Sequence, residues 1–322
     1  MSITSCKVCQ NTNGNELFTV REMQLGFHEN FEYQLCRDCG CMQLQNIPAD
    51  LARYYPNEDY YSFTSKLKTR SKPDLFRTLR SAYLLHGRHR IAGSVLAAGY
   101  TVPEYMEWVK APGVQFDDAI LDVGTGNGNL LVNLHKNGFT NLTGIDPFID
   151  KDLHHGPIPV YKKDIYGLQG SFDYIMLHHV FEHMDQPLKV LQRLKELLRP
   201  GKFLLIRTPV MGHYGWKTYG VDWVGLDAPR HILIHTVKSM ELLAKKAGFE
   251  LQKVDYDSTA YHIWASEQYQ RNIPLMASNS YMVNKEASVF TKTEIEGFKQ
   301  IAARSNSEGE GDQACFYLFN PG

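Results

Sequence analysis

Residues 119–138, AILDVGTGNGNLLVNLHKNG, join a short apolar run to a helical one through a loop of glycines. The run AILDV predicts a buried strand. It passes into Asp122-Val123-Gly124-Thr125-Gly126-Asn127-Gly128, and a helix near 128–138 follows at once. Glycines at such a turn let a ligand approach the backbone closely, and the first turn of the helix offers N–H groups with no partner inside the helix. A nucleotide-like ligand is therefore expected. The dinucleotide fingerprint needs G-x-G-x-x-G, but counted from Gly124 the sixth place is Asn129, and the third glycine arrives one residue early. That spacing argues against a dehydrogenase.

Outward from this stretch, short apolar runs alternate with helices. The runs are NLTGID (141–146), PIPVY (157–161), FDYIML (172–177), KFLLIRT (202–208), ELQKVDYDS (250–258) and ACFYLF (314–319). Helices are predicted at 186–198, 236–247 and 291–304. This alternation predicts an α/β fold, a doubly wound and mostly parallel seven-stranded sheet whose last strand can return antiparallel. Asp146 ends the second run, where a carboxylate can accept both hydroxyls of a ribose. Asp164 follows the third run and is placed to meet an adenine edge.

Together, Asp122 to Gly128, Asp146, Asp164 and FDYIMLHHVFEH resemble the cofactor motifs of class I S-adenosylmethionine-dependent methyltransferases. The resemblance implies a Rossmann-like methyltransferase domain over 118–322. It implies that Asp122, Gly124, Thr125, Gly126 and Gly128 hold the methionine part of S-adenosylmethionine. Asp146 with Pro147 would take the ribose, and Asp164 with Ile165 the adenine, with His178 beside them. Methyl transfer is a displacement at a carbon already activated by its sulfonium, so such a protein mainly aligns the acceptor and excludes water.

A narrower resemblance rests on the paired cysteines, the arm YYPNEDYYSF, the segment VFEH and DAPRH (227–231). These are similar to a subgroup of sugar and surface-polysaccharide methyltransferases. The sugar C-methyltransferases of that subgroup carry an extra domain after the last strand, which this stretch lacks, a departure that argues against C-methylation and leaves O- and N-methylation open. The resemblance implies a sugar-like small-molecule acceptor, with His183, His231 and Tyr61 at its reacting group. Arg230 either grips an acidic group of the acceptor or serves a structural ion pair.

Four of the six cysteines fall as Cys6-x2-Cys9 and Cys36-x2-Cys39, a spacing that can close a tetrahedral structural Zn2+ site. Cys41 is expected as a packed thiol beside it and Cys315 as core. The chain thus divides into a zinc ribbon and aromatic arm (1–66), a helical linker (67–117) and the methyltransferase domain. His179 and His183 in HHVFEH also match the H-x-x-E-H ligands of inverted zinc proteases. Pro187, however, disfavours helix at Gln186, so the long ligand-bearing protease helix is not expected.

Apolar residues make up 43% of the chain, enough for a sizeable core, and 34 basic residues nearly balance 35 acidic ones. No general attraction to nucleic acid follows. An RNA methyltransferase with a zinc ribbon is the alternative, but LHHVF stands where base amino-methylators carry an Asn- or Asp-Pro-Pro-Tyr motif. A non-catalytic S-adenosylmethionine-binding protein is the other, and turnover separates it. The N-terminus lacks a basic-then-apolar leader and no apolar run is long enough to span a membrane, so a soluble cytoplasmic protein is expected.

Overall fold

The computed structural model describes residues 4–55, 67 and 71–322. Near the N-terminus, β1 (Glu16–Arg21), β2 (Asn30–Leu35) and β3 (Met42–Leu44) form an antiparallel meander, with Val20 and Tyr33 turned into a core. Three helices follow: α1 (Leu75–His86), α2 (Arg90–Ala97) and α3 (Glu104–Lys110). Asp74 caps α1 by accepting from the N–H of Arg77, and Gly87 closes it in the left-handed conformation. The helical spacing read there does form helices. Leu75, Ile91 and Val95 nevertheless face outward, and Ala82 is the apolar residue that α1 buries.

The glycine-loop stretch is β4 (Ile120–Val123), the loop and α4 (Asn129–Lys136). Then come β5 (Leu142–Ile145), β6 (Leu153–His155), β7 (Ile158–Tyr161), β8 (Phe172–His178), α5 (Pro187–Leu197) and β9 (Leu198–Pro209). The chain continues through α6 (Tyr214–Tyr219), β10 (Leu233–Ile234), α7 (Val237–Ala247), β11 (Glu250–Tyr256), α8 (Ala260–Gln270), α9 (Lys292–Ser307) and β12 (Gln313–Phe319).

Among the described residues the main sheet has eight strands, in the order β11-β12-β9-β8-β4-β5-β7-β6, rather than the seven expected. The addition is β6, an edge strand antiparallel to β7. Three half-exposed residues, Leu-His-His, carry no strand pattern. The five central strands are parallel, while β12 returns antiparallel between β9 and β11, as its position at the chain's end allows. Successive residues of β4, β8 and β9 serve opposite faces. Leu121, Ile175 and Leu204 pack with Leu191 of α5 and Leu243 of α7, whereas Ile120, Tyr174 and Leu205 pack with Leu131 of α4 and Val109 of α3. Layers of helix on both faces make this a Rossmann-like fold.

Two helices went unread in the sequence, α6 and α8. The second buries His262, Ile263, Trp264, Ala265, Ser266, Gln268 and Tyr269, nearly its whole circumference. A helix enclosed on all sides has no polar face and so no 3.6-residue periodicity to find.

The meander does not stand apart. Strand β10 pairs with β3, Leu233 opposite Gln43 and Ile234 opposite Met42, so the smaller sheet runs β1-β2-β3-β10. The Oγ1 of Thr236 donates to the carbonyl of Cys39 at 2.6 Å, and Lys246 Nζ to that of Val8 at 2.6 Å. No helix among the described residues is long and apolar enough to cross a membrane.

Candidate active site

At the carboxyl edge of β4 the loop takes positive φ at Gly124 (71°), Gly126 (55°) and Gly128 (82°). A Cβ at Gly124 would stand 2.3 Å from Cγ2 of Val180, so no larger residue fits. Gly128 caps α4 in the left-handed conformation, and the first N–H of the helix, that of Asn129, donates to Oδ1 of Asn127 at 3.1 Å. Asp122 lies buried below the loop and accepts from the Thr125 hydroxyl at 2.6 Å. Burial pushes its carboxyl up to about 7, against the pull of Thr125 and with the help of the charge on Asp146.

Asp146 accepts from the N–H of Gly126 at 2.9 Å through Oδ2 and from that of Phe148 at 2.8 Å through Oδ1. Each oxygen keeps a further lone pair for a hydroxyl. Pro147 is exposed beside it, and Phe148, which the sequence reading passed over, is 83% exposed. Asp164 is exposed, with Oδ1 holding a turn through the N–H groups of Tyr166 and Gly167, while Ile165 is buried. His178 ends β8 and lies on Trp108 with ring centroids 4.2 Å apart. Neither of its nitrogens has a hydrogen-bond partner among the described residues, and burial holds it well below the usual imidazole range. The glycine cradle, the buried Asp122 and the spare lone pairs of Asp146 fit S-adenosylmethionine, whose amino and sulfonium groups are cationic.

Beyond β8 the chain turns sharply. His179 adopts φ 55°, and Phe181–His183 form a single 3-10 turn rather than a protease helix. This turn meets DAPRH across a cavity of about 250 Å³. Arg207 of β9 anchors one wall: it pairs with Asp257 at 2.6 Å, donates to Nε2 of His179 at 2.7 Å, reaches Glu104 at 3.6 Å and lies over the Trp108 ring. Of these partners only His179 was singled out in the sequence, and as a metal-ligand candidate; Glu104 and Trp108 come from α3 and Asp257 from the loop after β11.

His183 Nδ1 lies 2.8 Å from the carbonyl of Arg230 and 3.1 Å from the Tyr55 hydroxyl, and its ring stands edge-on to that of His231 at 4.9 Å. His231 Nδ1 lies 2.8 Å from the carbonyl of Gly225. A carbonyl only accepts, so both Nδ1 atoms carry a proton, and in the neutral ring Nε2 keeps a free lone pair. Burial pushes His183 down to about 4, leaving it neutral. Glu182 is fully buried between them. Burial works against its charge, and the facing Nδ1 of His179 leads the groups that nonetheless bring its carboxyl down to about 2. Arg230 is buried and ion-paired with Asp227, the structural pair of its two sequence readings, and it also lines the cavity. Tyr61 lies outside the described residues.

The Sγ atoms of Cys6, Cys9, Cys36 and Cys39 all lie within 4.8 Å of one another. Two like turns bring them together. The N–H of Gln10 donates to the carbonyl of Cys6 and that of Gly40 to the carbonyl of Cys36, and both Gln10 and Gly40 take positive φ. Cys41 is fully buried as expected, but against the cluster itself, 3.4 Å from the sulfurs of both Cys6 and Cys39.

A family described as Methyltransferase domain matches residues 77–254. The chain is 54% identical to EEF1A lysine methyltransferase 2 of Danio rerio over 41 residues, 13% of this chain and 18% of that protein. It is 31% identical to the tRNA U34 carboxymethyltransferase of Azotobacter vinelandii over 156 residues, 44% of this chain and 48% of that protein. The matched region thus spans less than half the length of these curated relatives. Among solved structures, the mycolic acid cyclopropane synthase CmaA1 complexed with SAH and CTAB aligns at a TM-score of 0.44 and 14% identity, over 73% of this chain and 87% of that one. The family match takes in more than half of the chain, from within α1 through the glycine loop, Asp146 and the turn after β8 to β11. The chain belongs to the class I S-adenosylmethionine-dependent methyltransferases.

Proposed function

We propose that this protein moves the methyl group of S-adenosylmethionine to a hydroxyl or amino group of a sugar-like small molecule held in the cavity between the turn after β8 and DAPRH. The observation that carries this reading is the pair of imidazoles, each fixed by a backbone carbonyl so that Nε2 keeps its lone pair. An acceptor group that must lose its proton needs such a partner. Polar groups of Arg207, Asp227, Thr259 and Gln313 also line the cavity and suit a molecule rich in hydroxyls. The four clustered thiols support a structural zinc ion on Cys6, Cys9, Cys36 and Cys39.

The test joins binding to turnover. Calorimetry should detect S-adenosylmethionine, and Asp146→Ala should weaken it by roughly 30-fold, because two hydroxyls lose a charged partner worth about 2 kcal/mol or more. Incubation with a panel of sugars and nucleotide sugars should give a product heavier by one methyl group, and His183→Gln should bind the cofactor normally yet lose ~100-fold in turnover. Binding without a methylated product from any panel member would count against the sugar-like acceptor. No binding would remove the methyl-transfer reading.

A further inference from the structure

Glu182 Oε2 accepts from the Thr208 hydroxyl at 2.9 Å, but Oε1, fully buried, has no hydrogen-bond partner among the described residues. An ionised oxygen left so is costly. Three candidates surround it. Nδ1 of His179 stands 3.4 Å away, too far for a normal hydrogen bond. Nε2 of His231 is at 3.9 Å, beyond hydrogen-bond reach, and in the neutral ring it is bare because Nδ1 donates to Gly225. Nε2 of the neutral His183 ring is likewise bare, since Nδ1 donates to Arg230. One ligand atom from each of Glu182, His183 and His231 lies within 4.8 Å of the other two.

We propose that Glu182, His183 and His231 bind a divalent transition-metal ion. The set of two imidazoles and one carboxylate suits zinc, cobalt, manganese or iron(II), and it leaves coordination positions open. Those positions face the cavity that all but Glu182 help to line. The outer partners that such a site requires are in place. Each imidazole donates its Nδ1 proton to a backbone carbonyl, and the second oxygen of Glu182 is held by Thr208. His179, the first histidine of the H-x-x-E-H spacing, is not in the set, because Arg207 occupies its Nε2. Resting on the reading of this cavity as the acceptor pocket, the ion would bind the acceptor through a hydroxyl oxygen and favour its ionised form, so that with metal bound the two imidazoles act as ligands and the ion, not Nε2, promotes loss of the proton.

The probe is cobalt(II) alone, titrated into the full chain as purified, after dialysis against a mild chelator and with no acceptor present. The visible absorption of cobalt in a nitrogen and oxygen site is expected to grow and saturate. The near-ultraviolet band of a cobalt thiolate reports the cysteine cluster separately. Glu182→Gln and His231→Gln should each weaken the visible signal by more than the ~100-fold that follows loss of an outer partner. Circular dichroism and cofactor affinity check that each variant is folded. If Glu182→Gln fails to fold, His231→Gln decides, since its amide still reaches the cavity wall. Absence of the visible band in the wild type, or its persistence in folded variants, would overturn the proposal. Cobalt binding without S-adenosylmethionine binding would leave the metal site standing and remove the methyl-transfer reading, and the converse would do the reverse.

Discussion

Asp122 gives this protein a pH dependence of its own. Its carboxyl, raised to about 7 by burial, faces the Thr125 hydroxyl from the loop, Asp146 from β5 and Tyr174 from β8, and none of these is a cation. The folded state therefore binds the proton more tightly than the unfolded chain does. The sign follows: this group stabilises the unliganded fold at low pH, and the contribution is lost as pH rises from about 4 through 7, at up to about 1.4 kcal/mol per unit. Urea melts across that window should show stability falling in the wild type and a shallower fall in Asp122→Asn. Affinity for the cationic cofactor should rise over the same range and flatten in the variant. If both proteins show the same slope, Asp122 is not the titrating group. Asp122, the loop glycines and Asp146 were legible because each role depends on one residue type at one place on a strand end. Phe148 was not, since a single exposed aromatic carries no spacing.

Strand β9 contributes Arg207, and this one side chain ties the sheet edge to α3, to β8 and to the segment after β11. Burial opposes the charge on Asp257, but Arg207 holds its carboxyl below the usual range. Both partners are nearly enclosed, with side chains 11% and 15% exposed, so the pair is little screened by solvent. Arg207→Leu would leave Asp257 buried and unpaired, and a loss of about 3–5 kcal/mol is expected in chemical denaturation. Arg207→Leu combined with Asp257→Asn should recover part of it. Equal losses in the single and double variants would show that packing, not the pair, carries the energy. At this scale the longer apolar runs were read correctly as buried strands or one-faced helices, whereas the short buried β3 and β10 went unread. So did β6, too short and too polar, and α8, buried all round.

Across the whole molecule, the cysteine-bearing meander supports the acceptor side of the site. β3 pairs with β10, directly after DAPRH, and the Tyr33 hydroxyl donates to the carbonyl of His231 at 2.8 Å. Metal analysis of Cys9→Ser and Cys36→Ser should show the cysteine-bound zinc lost. If the proposed zinc holds so small a module together, turnover is expected to fall with it, while cofactor affinity, which we assign to the glycine loop and Asp146, should hold. Zinc retained in both variants would remove the assignment. Zinc lost with turnover unchanged would show that the meander does not position His231.

By itself the sequence marked the fold and the residues of the proposed cofactor half. The glycines, the two acids and the alternating runs lie close along the chain, and each is forced by local geometry: a left-handed turn, a strand end, a buried face. For the proposed acceptor half the sequence named His183 and His231, but how they meet was decided by tertiary structure. His183 and His231 lie 48 positions apart, and His231 is held through Tyr33, 198 positions away, by a strand pairing between distant segments. Which nitrogen of each ring carries its proton depends on a carbonyl from a neighbouring turn. A pattern of residue types records what each group can do, but not which groups are brought within reach of one another.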